Sequence, residues 1–353
     1  MITVENLTKF VPSATSAAPV LREVSFAVGS GSLFGLLGPS GAGKSALTKL
    51  LGLQDRPDAG LIRVDDVDTG RLDHRSLREL RSRFSTVDPG FVLRPERTVA
   101  GNIATPLEQL GVDGPQRRDI VAELLDLVGL TRGAAQHPGE LNEGQRRRVA
   151  LARALAVSPS VLLVDDPTAG LDADEAGGVL AALDRANAEL GVTVLLATSD
   201  ADVVRKVCDG VAVLSDDGAL VETGTVFELL SDQDSHFAGT QLPPVDTNGT
   251  ELSRYDSVAD VVLIGHATVP TLLSEAGHQM GVEVQTLAGG VTRAGETPVA
   301  RYRVGLRGER ADLAVSWLSE HSGIVRPVRR TARVAAVSEL VARETRELAG
   351  VAA

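Results

Sequence analysis

GPSGAGKS, residues 38–45, follows the apolar run LFGLLG at 33–38. The run reads as a buried strand that ends at glycine and feeds a loop. The loop fits G-x-x-x-x-G-K-[ST], with Gly38, Gly43, Lys44 and Ser45 on the fixed positions. Glycines let backbone N–H groups close around phosphate oxygens. Lys44 supplies a positive point charge, the Ser45 hydroxyl suits Mg²⁺, and the helix expected next aims its positive end at the anion. The candidate ATP-binding set here is Gly38, Ser40, Gly41, Ala42, Gly43, Lys44 and Ser45.

Outward from the loop, residues 2–7 and 20–28 alternate as strands do, and VLLVD (161–165) and TVLLAT (193–198) are apolar runs of strand length. Each of those runs precedes a helix-like stretch, which predicts a parallel sheet covered by helices. Residues 99–157 lie between two such strands and show helical spacing at Ile120, Leu124, Leu127 and Val128, as an inserted helical subdomain would. VLLVDD (161–166) delivers Asp165 to the sheet edge, where it and Ser45 are the candidate Mg²⁺ ligands.

The whole chain sets limits. It has 353 residues, 43% hydrophobic and 23% charged, room for two domains with ordinary cores. The net charge of −12 argues against a nucleic-acid partner. The single cysteine, Cys208, has no partner for an internal disulfide and fits a reducing cytoplasm. MITVENLTKF lacks the basic and apolar regions of a signal peptide, and no apolar run approaches the roughly 18 residues of a membrane helix.

LNEGQRRRVALARAL (141–155), just ahead of VLLVDD, resembles the signature segment of ATP-binding cassette (ABC) ATPases, whose usual core is LSGGQ. DDPTAGLD (165–172) resembles their Walker B and D-loop. The resemblance covers about 1–235 and implies a RecA-like P-loop ABC ATPase fold, ATP and Mg²⁺ as cofactors, and a head-to-tail dimer with a second nucleotide-binding subunit. Each ATP then lies between one chain's P-loop and the other chain's Asn142, Gly144 and Gln145. Phe10 lies where the family stacks an aromatic ring on adenine; a strand-end core role is the alternative.

Four positions depart from the family pattern. Asp166 stands for the glutamate base, Ser199 for the switch histidine, Pro89 for the Q-loop glutamine, and LNEGQ for LSGGQ. Asp166 and Ser199 are the candidate catalytic residues, one shorter and one differently equipped than the family's. ATP binding is expected intact and turnover impaired.

Past a Pro- and Gly-rich break at 239–253, the pattern restarts as strand 258–266, helix 270–280, strands 282–288 and 299–306, helix 309–321 and strand 324–329. That βαββαβ order is ferredoxin-like, an α+β domain. LIGHATVPTLLSEAGHQMGVEVQTLAGGV (263–291) with WLSEHSGIVRPV (317–328) resembles the NIL domain of methionine-importer ATPases. The expected organisation is an ABC domain at 1–235, a linker at 236–253, the NIL-like regulatory domain at 254–330 and a helical tail at 331–353. The resemblance implies an importer's ATP-binding subunit for methionine or related amino acids. It implies permease partners, a peripheral place on the cytoplasmic face of the membrane, and methionine at the second domain. His266, His278 and Met280 are more readily structural than ligand residues. The alternative is a regulatory ABC protein in which dimerisation and ligand sensing matter more than turnover. A DNA-repair or translation cassette is disfavoured, since the chain has neither a second cassette nor a long coiled-coil insertion.

Overall fold

The computed structural model describes residues 2–10, 19–232, 234–246, 252–265, 271–321 and 324–330. His266 and the tail at 331–353 lie outside them. The chain divides into two compact units, one ending at Val226 and the other beginning at Phe227.

The first unit opens with β1 (Ile2–Lys9), β2 (Leu21–Val28), β3 (Leu33–Leu37), α1 (Lys44–Leu51), β4 (Ala59–Val64), β5 (Val67–Asp68) and α2 (His74–Arg81). Then come β6 (Phe84–Val87), three helices, α3 (Val99–Gln109), α4 (Gly114–Leu127) and α5 (Glu143–Leu155), and β7 (Val161–Asp165). It closes with α6 (Ala173–Leu190), β8 (Thr193–Thr198), α7 (Ala201–Val207), β9 (Gly210–Leu214) and β10 (Leu220–Thr225).

Six strands form one sheet in the order β10-β9-β3-β8-β7-β6, parallel except for β10. Every residue of β3, β8 and β9 is buried, which is why these strands read as unbroken apolar runs rather than alternations. A second, antiparallel sheet runs β2-β1-β4-β5. Leu47, Leu50 and Leu51 of α1 sink into one core with Leu7, Val24 and Ile62 of the second sheet and Leu36, Leu163 and Leu195 of the first. The helix that follows the P-loop is therefore held from both sides.

The helical insertion is α3 to α5. Asn102, fully buried, anchors its entry: Oδ1 accepts from Arg94 N–H, and Nδ2 donates to the carbonyls of Arg94, Arg97 and Thr98. Its Pro-containing α3 starts on the Thr98 cap and α4 on the Asp113 cap.

The second unit takes in α8 (Val226–Ser231, which straddles the division), α9 (His236–Gln241), β11 (Ser257–Ile264) and α10 (Thr271–Met280). β12 (Glu283–Ala294), β13 (Thr297–Arg307), α11 (Ala311–Glu320) and β14 (Ile324–Arg330) complete it. The expected linker at 236–253 begins with a helix, because Ser235 caps Ala238 N–H and Phe237 is buried. The sheet order β12-β13-β11-β14, all antiparallel, matches the expected ferredoxin-like unit. Its core joins Val261 and Leu263 to Leu273, Ala276, Val315 and Leu318 of the two helices. No helix among the described residues is long and apolar enough to cross a membrane.

Candidate active site

The P-loop leaves β3 at Gly38, where a side chain has no room: a Cβ would lie 2.9 Å from the Leu214 carbonyl of β9. Gly41 and Gly43 take the left-handed conformation, φ 91° and 86°, that favours glycine. Gly43 is also the N-cap of α1, and it offers no side chain to the first turn. The helix N–H groups that a cap would satisfy are thus left for an anion. Lys44 is buried and donates from Nζ to the carbonyls of Gly38 (2.6 Å) and Pro39 (2.9 Å), bracing the loop from within. Burial lowers its pKa from the ordinary lysine value, against the opposing pull of Asp166 and Asp165.

Ser45 and Asp165 are 120 residues apart in the chain, yet Ser45 Oγ donates to Asp165 Oδ2 at 2.9 Å. β7 brings the carboxylate there, one strand removed from β3 across β8. A hydroxyl and a carboxylate paired at the head of an uncapped helix suit a small, hard dication. The loop, its lysine and this pair therefore fit ATP with Mg²⁺.

Asp166 follows in the left-handed region at φ 48°, a conformation that costs a non-glycine residue on the order of 1–2 kcal/mol. Its N–H donates to Ala197 O (2.8 Å), its carbonyl accepts from Arg147 Nη1 (3.3 Å), and its Oδ1 accepts from Thr198 Oγ1 (3.3 Å). Beside it lies a cavity of about 20 Å³, lined in part by Pro89, Asp165, Asp166 and Arg147. Pro89, exposed in the turn that Phe91 N–H closes on Asp88 O, lines the same cavity as both carboxylates and has no side-chain amide to offer. Ser199 is exposed at the end of β8, between buried Thr198 and the α7 cap Asp200.

Asn142 and Gln145 form a capping box at the head of α5: Asn142 Oδ1 accepts from Gln145 N–H (2.7 Å), and Gln145 Oε1 accepts from Asn142 N–H (2.9 Å). Glu143 lies 3.3 Å from Arg146 and 3.6 Å from Arg147, so its charge is matched on its own helix. Gly144 has a reason inside this chain. A Cβ there would come 2.8 Å from the Cβ of Glu175, so glycine lets α5 close on α6. Among the described residues no hydrogen bond joins Asn142, Gly144 or Gln145 to the P-loop. Phe10, at the end of β1, is 47% exposed, which removes the core alternative, and its N–H donates to Asp58. In the second unit His278 is exposed and Met280 packs against the core.

Sequence reading missed two residues. Arg147, in a run that reads as a solvated charged face, donates to the carbonyls of Pro167 and Ala169 at 2.6 Å each and holds the turn after Asp166. Thr198 looked like the last residue of an apolar strand. No linear pattern marks either one, because both act on residues distant in the chain.

Residues 21–169 match the family model for ABC transporters. The methionine import ATP-binding protein MetN of Thermobifida fusca is 39% identical over 328 residues, 93% of this chain and all of that protein. This chain belongs to the ABC transporter ATPases. The ABC chain is also 37% identical over 353 residues to MetN of Streptomyces coelicolor, covering 98% of the one and 99% of the other. Among solved structures it is similar to a dimeric, post-hydrolysis ATP-binding cassette bound to ADP and Pi. That likeness has TM-score 0.57 and 31% identity, and covers 64% of this chain and 99% of that one. Another is cbiO1 of Clostridium perfringens, part of an ABC transporter complex, with TM-score 0.60, 25% identity and coverage of 68% and 95%. These cassette likenesses cover about two thirds of the ABC chain, whereas the MetN proteins run the length of both units.

Proposed function

We propose that this chain is the ATP-hydrolysing subunit of an importer for methionine or related amino acids, and that it turns ATP over slowly. The Ser45–Asp165 pair at 2.9 Å, set at the mouth of the P-loop, carries the ATPase reading. The importer reading draws on relatives named for methionine import that align from end to end. The regulatory alternative is not favoured beside such full-length likeness. In this reading the subunit sits peripherally on the cytoplasmic side of permease subunits, and the ferredoxin-like unit binds methionine as a regulator.

In the hydrolytic cycle, the P-loop N–H groups and Lys44 hold the β- and γ-phosphates, and Asp166 takes the proton of the attacking water. Ser45 and Asp165 would hold Mg²⁺, which would supply charge neutralisation at the phosphoryl oxygens. A second copy or a related subunit completes the site with its equivalents of Asn142, Gly144 and Gln145. Asp166 is one methylene shorter than the family's glutamate, and losing about 1 Å of reach costs on the order of 10²-fold in rate. Ser199 lacks the imidazole donor, a loss worth roughly 10²–10³-fold where such a donor acts. These losses do not add, because the groups act as a unit.

The test is single-turnover and steady-state ATP hydrolysis by the purified chain, with ATP binding measured alongside. The wild type should bind Mg·ATP and hydrolyse it far below the typical ~10 s⁻¹. The Asp166→Glu, Ser199→His double variant should raise kcat at least about tenfold with binding unchanged. Wild-type turnover already at ordinary rates removes the slow-turnover part of the reading. Failure to bind ATP removes the whole of it.

A further inference from the structure

Thr198 ends β8 with none of its surface exposed, and three hydrogen bonds meet on it. Its Oγ1 donates to Asp166 Oδ1 at 3.3 Å. The same oxygen accepts from Asp200 N–H at 3.0 Å. Its carbonyl accepts from Gly38 N–H at 3.3 Å. A hydroxyl has one proton to give, and the bond it accepts from Asp200 leaves that proton for the carboxylate.

The backbone of Asp166 is anchored on both sides, by Ala197 O and by Arg147. Its carboxylate is a different matter. The terminal torsion of an aspartate is broad and holds no sharp preference of its own. Thr198 is the side chain that selects one rotation, engaging Oδ1. Among the described residues Oδ2 has no hydrogen bond or ion pair.

We propose that Thr198 is a positioning residue for the ATPase reaction. Its buried hydroxyl sets the rotation of the Asp166 carboxylate so that Oδ2 is the oxygen left to take the water's proton. Its carbonyl ties that setting to the P-loop through Gly38. The proposal rests on Asp166 being the base. It gives the short aspartate a device the sequence does not announce: a carboxylate with reduced reach is held in one orientation rather than left to rotate.

Thr198→Val keeps the shape and removes the hydroxyl. Single-turnover hydrolysis by the full chain should fall about 10–100-fold. The ATP dissociation constant should stay within about threefold, because the carbonyl bond to Gly38 is untouched. Thr198→Ser should restore the rate. Added to Asp166→Ala, Thr198→Val should lower the residual rate no further. An unchanged rate in Thr198→Val overturns the proposal, as does a loss that follows weakened ATP binding or a loss of the same size in the Asp166→Ala background. If Asp166→Ala alone leaves hydrolysis unchanged, the base assignment itself falls and takes the proposal with it. A slow Asp166→Ala beside a normal Thr198→Val rejects the role of Thr198 alone.

Discussion

Asp260 on β11 stands opposite Arg303 on β13 in direct register, and the two make a forked pair, Nε to Oδ1 at 2.7 Å and Nη2 to Oδ2 at 2.8 Å. Asp260 is 5% exposed. The hydrogen bonds to this carboxylate raise the pKa of Arg303 above its ordinary value, so the guanidinium stays charged at any working pH. Removing Asp260 takes both of these bonds from the Arg303 guanidinium. Asp260→Ala should therefore destabilise the second unit by about 3–5 kcal/mol, read from urea unfolding. Trp317, the chain's one tryptophan, lies on α11 of that unit and is the natural reporter. An effect below about 1 kcal/mol would mean the pair contributes no more than a surface ion pair. At this scale the sequence carries the P-loop residues and the Asp165–Asp166 pair as motifs of fixed local spacing, and the structure brings Ser45 to Asp165. Thr198 and Arg147 were not legible there, because their partners are set by sheet order and helix packing. Asn142 and Gln145 were read as nucleotide contacts, and the N-x-x-Q capping pattern they also satisfy went unread.

Helix α2 begins on Asp73, whose carboxylate accepts from Ser76 N–H at 2.7 Å. That bond holds the Asp73 pKa below its ordinary value. A depressed folded pKa stabilises the native state above the unfolded value, near 4, and the benefit is lost as pH falls through the lower folded value. Asn is as good an N-cap as Asp but does not titrate. Asp73→Asn should thus leave stability near pH 7 almost unchanged and flatten part of the decline below about pH 4, measured by melting temperature against pH. An acid decline as steep as the wild type's would show that this cap does not contribute to it. Elements were legible where burial is continuous or periodic, as in β3, β7, β8 and the βαββαβ order. The β12–β13 hairpin was read too short because Gly289 and Gly290 look like a break. Gly289 instead pairs with Tyr302 just past a register shift between Thr286 and Ala288, at φ 109°, where a Cβ would meet the Arg301 carbonyl at 2.0 Å, and the strand runs on to Ala294. α9 escaped notice because six residues are too few to show a period.

Each unit has its own hydrophobic core, one built around α1 and the P-loop sheet, the other around β11, β13 and the helices α10 and α11. A ligand that binds only the native state of one core raises the stability of that core by mass action, about 2.7 kcal/mol at a hundredfold excess over Kd. Every residue assigned to ATP in this chain lies in the first unit, and Trp317 lies in the second. Saturating Mg·ATP should therefore raise the melting transition followed by far-ultraviolet circular dichroism, which the larger first unit dominates. The transition followed by Trp317 fluorescence should hold its place. Asp260→Ala should do the reverse, moving the fluorescence transition and sparing the nucleotide-sensitive one. If ATP shifts both probes by the same amount, the chain unfolds as a single cooperative block. In that case two-state analysis of the whole chain is legitimate, and the separate cores do not make separate stabilities.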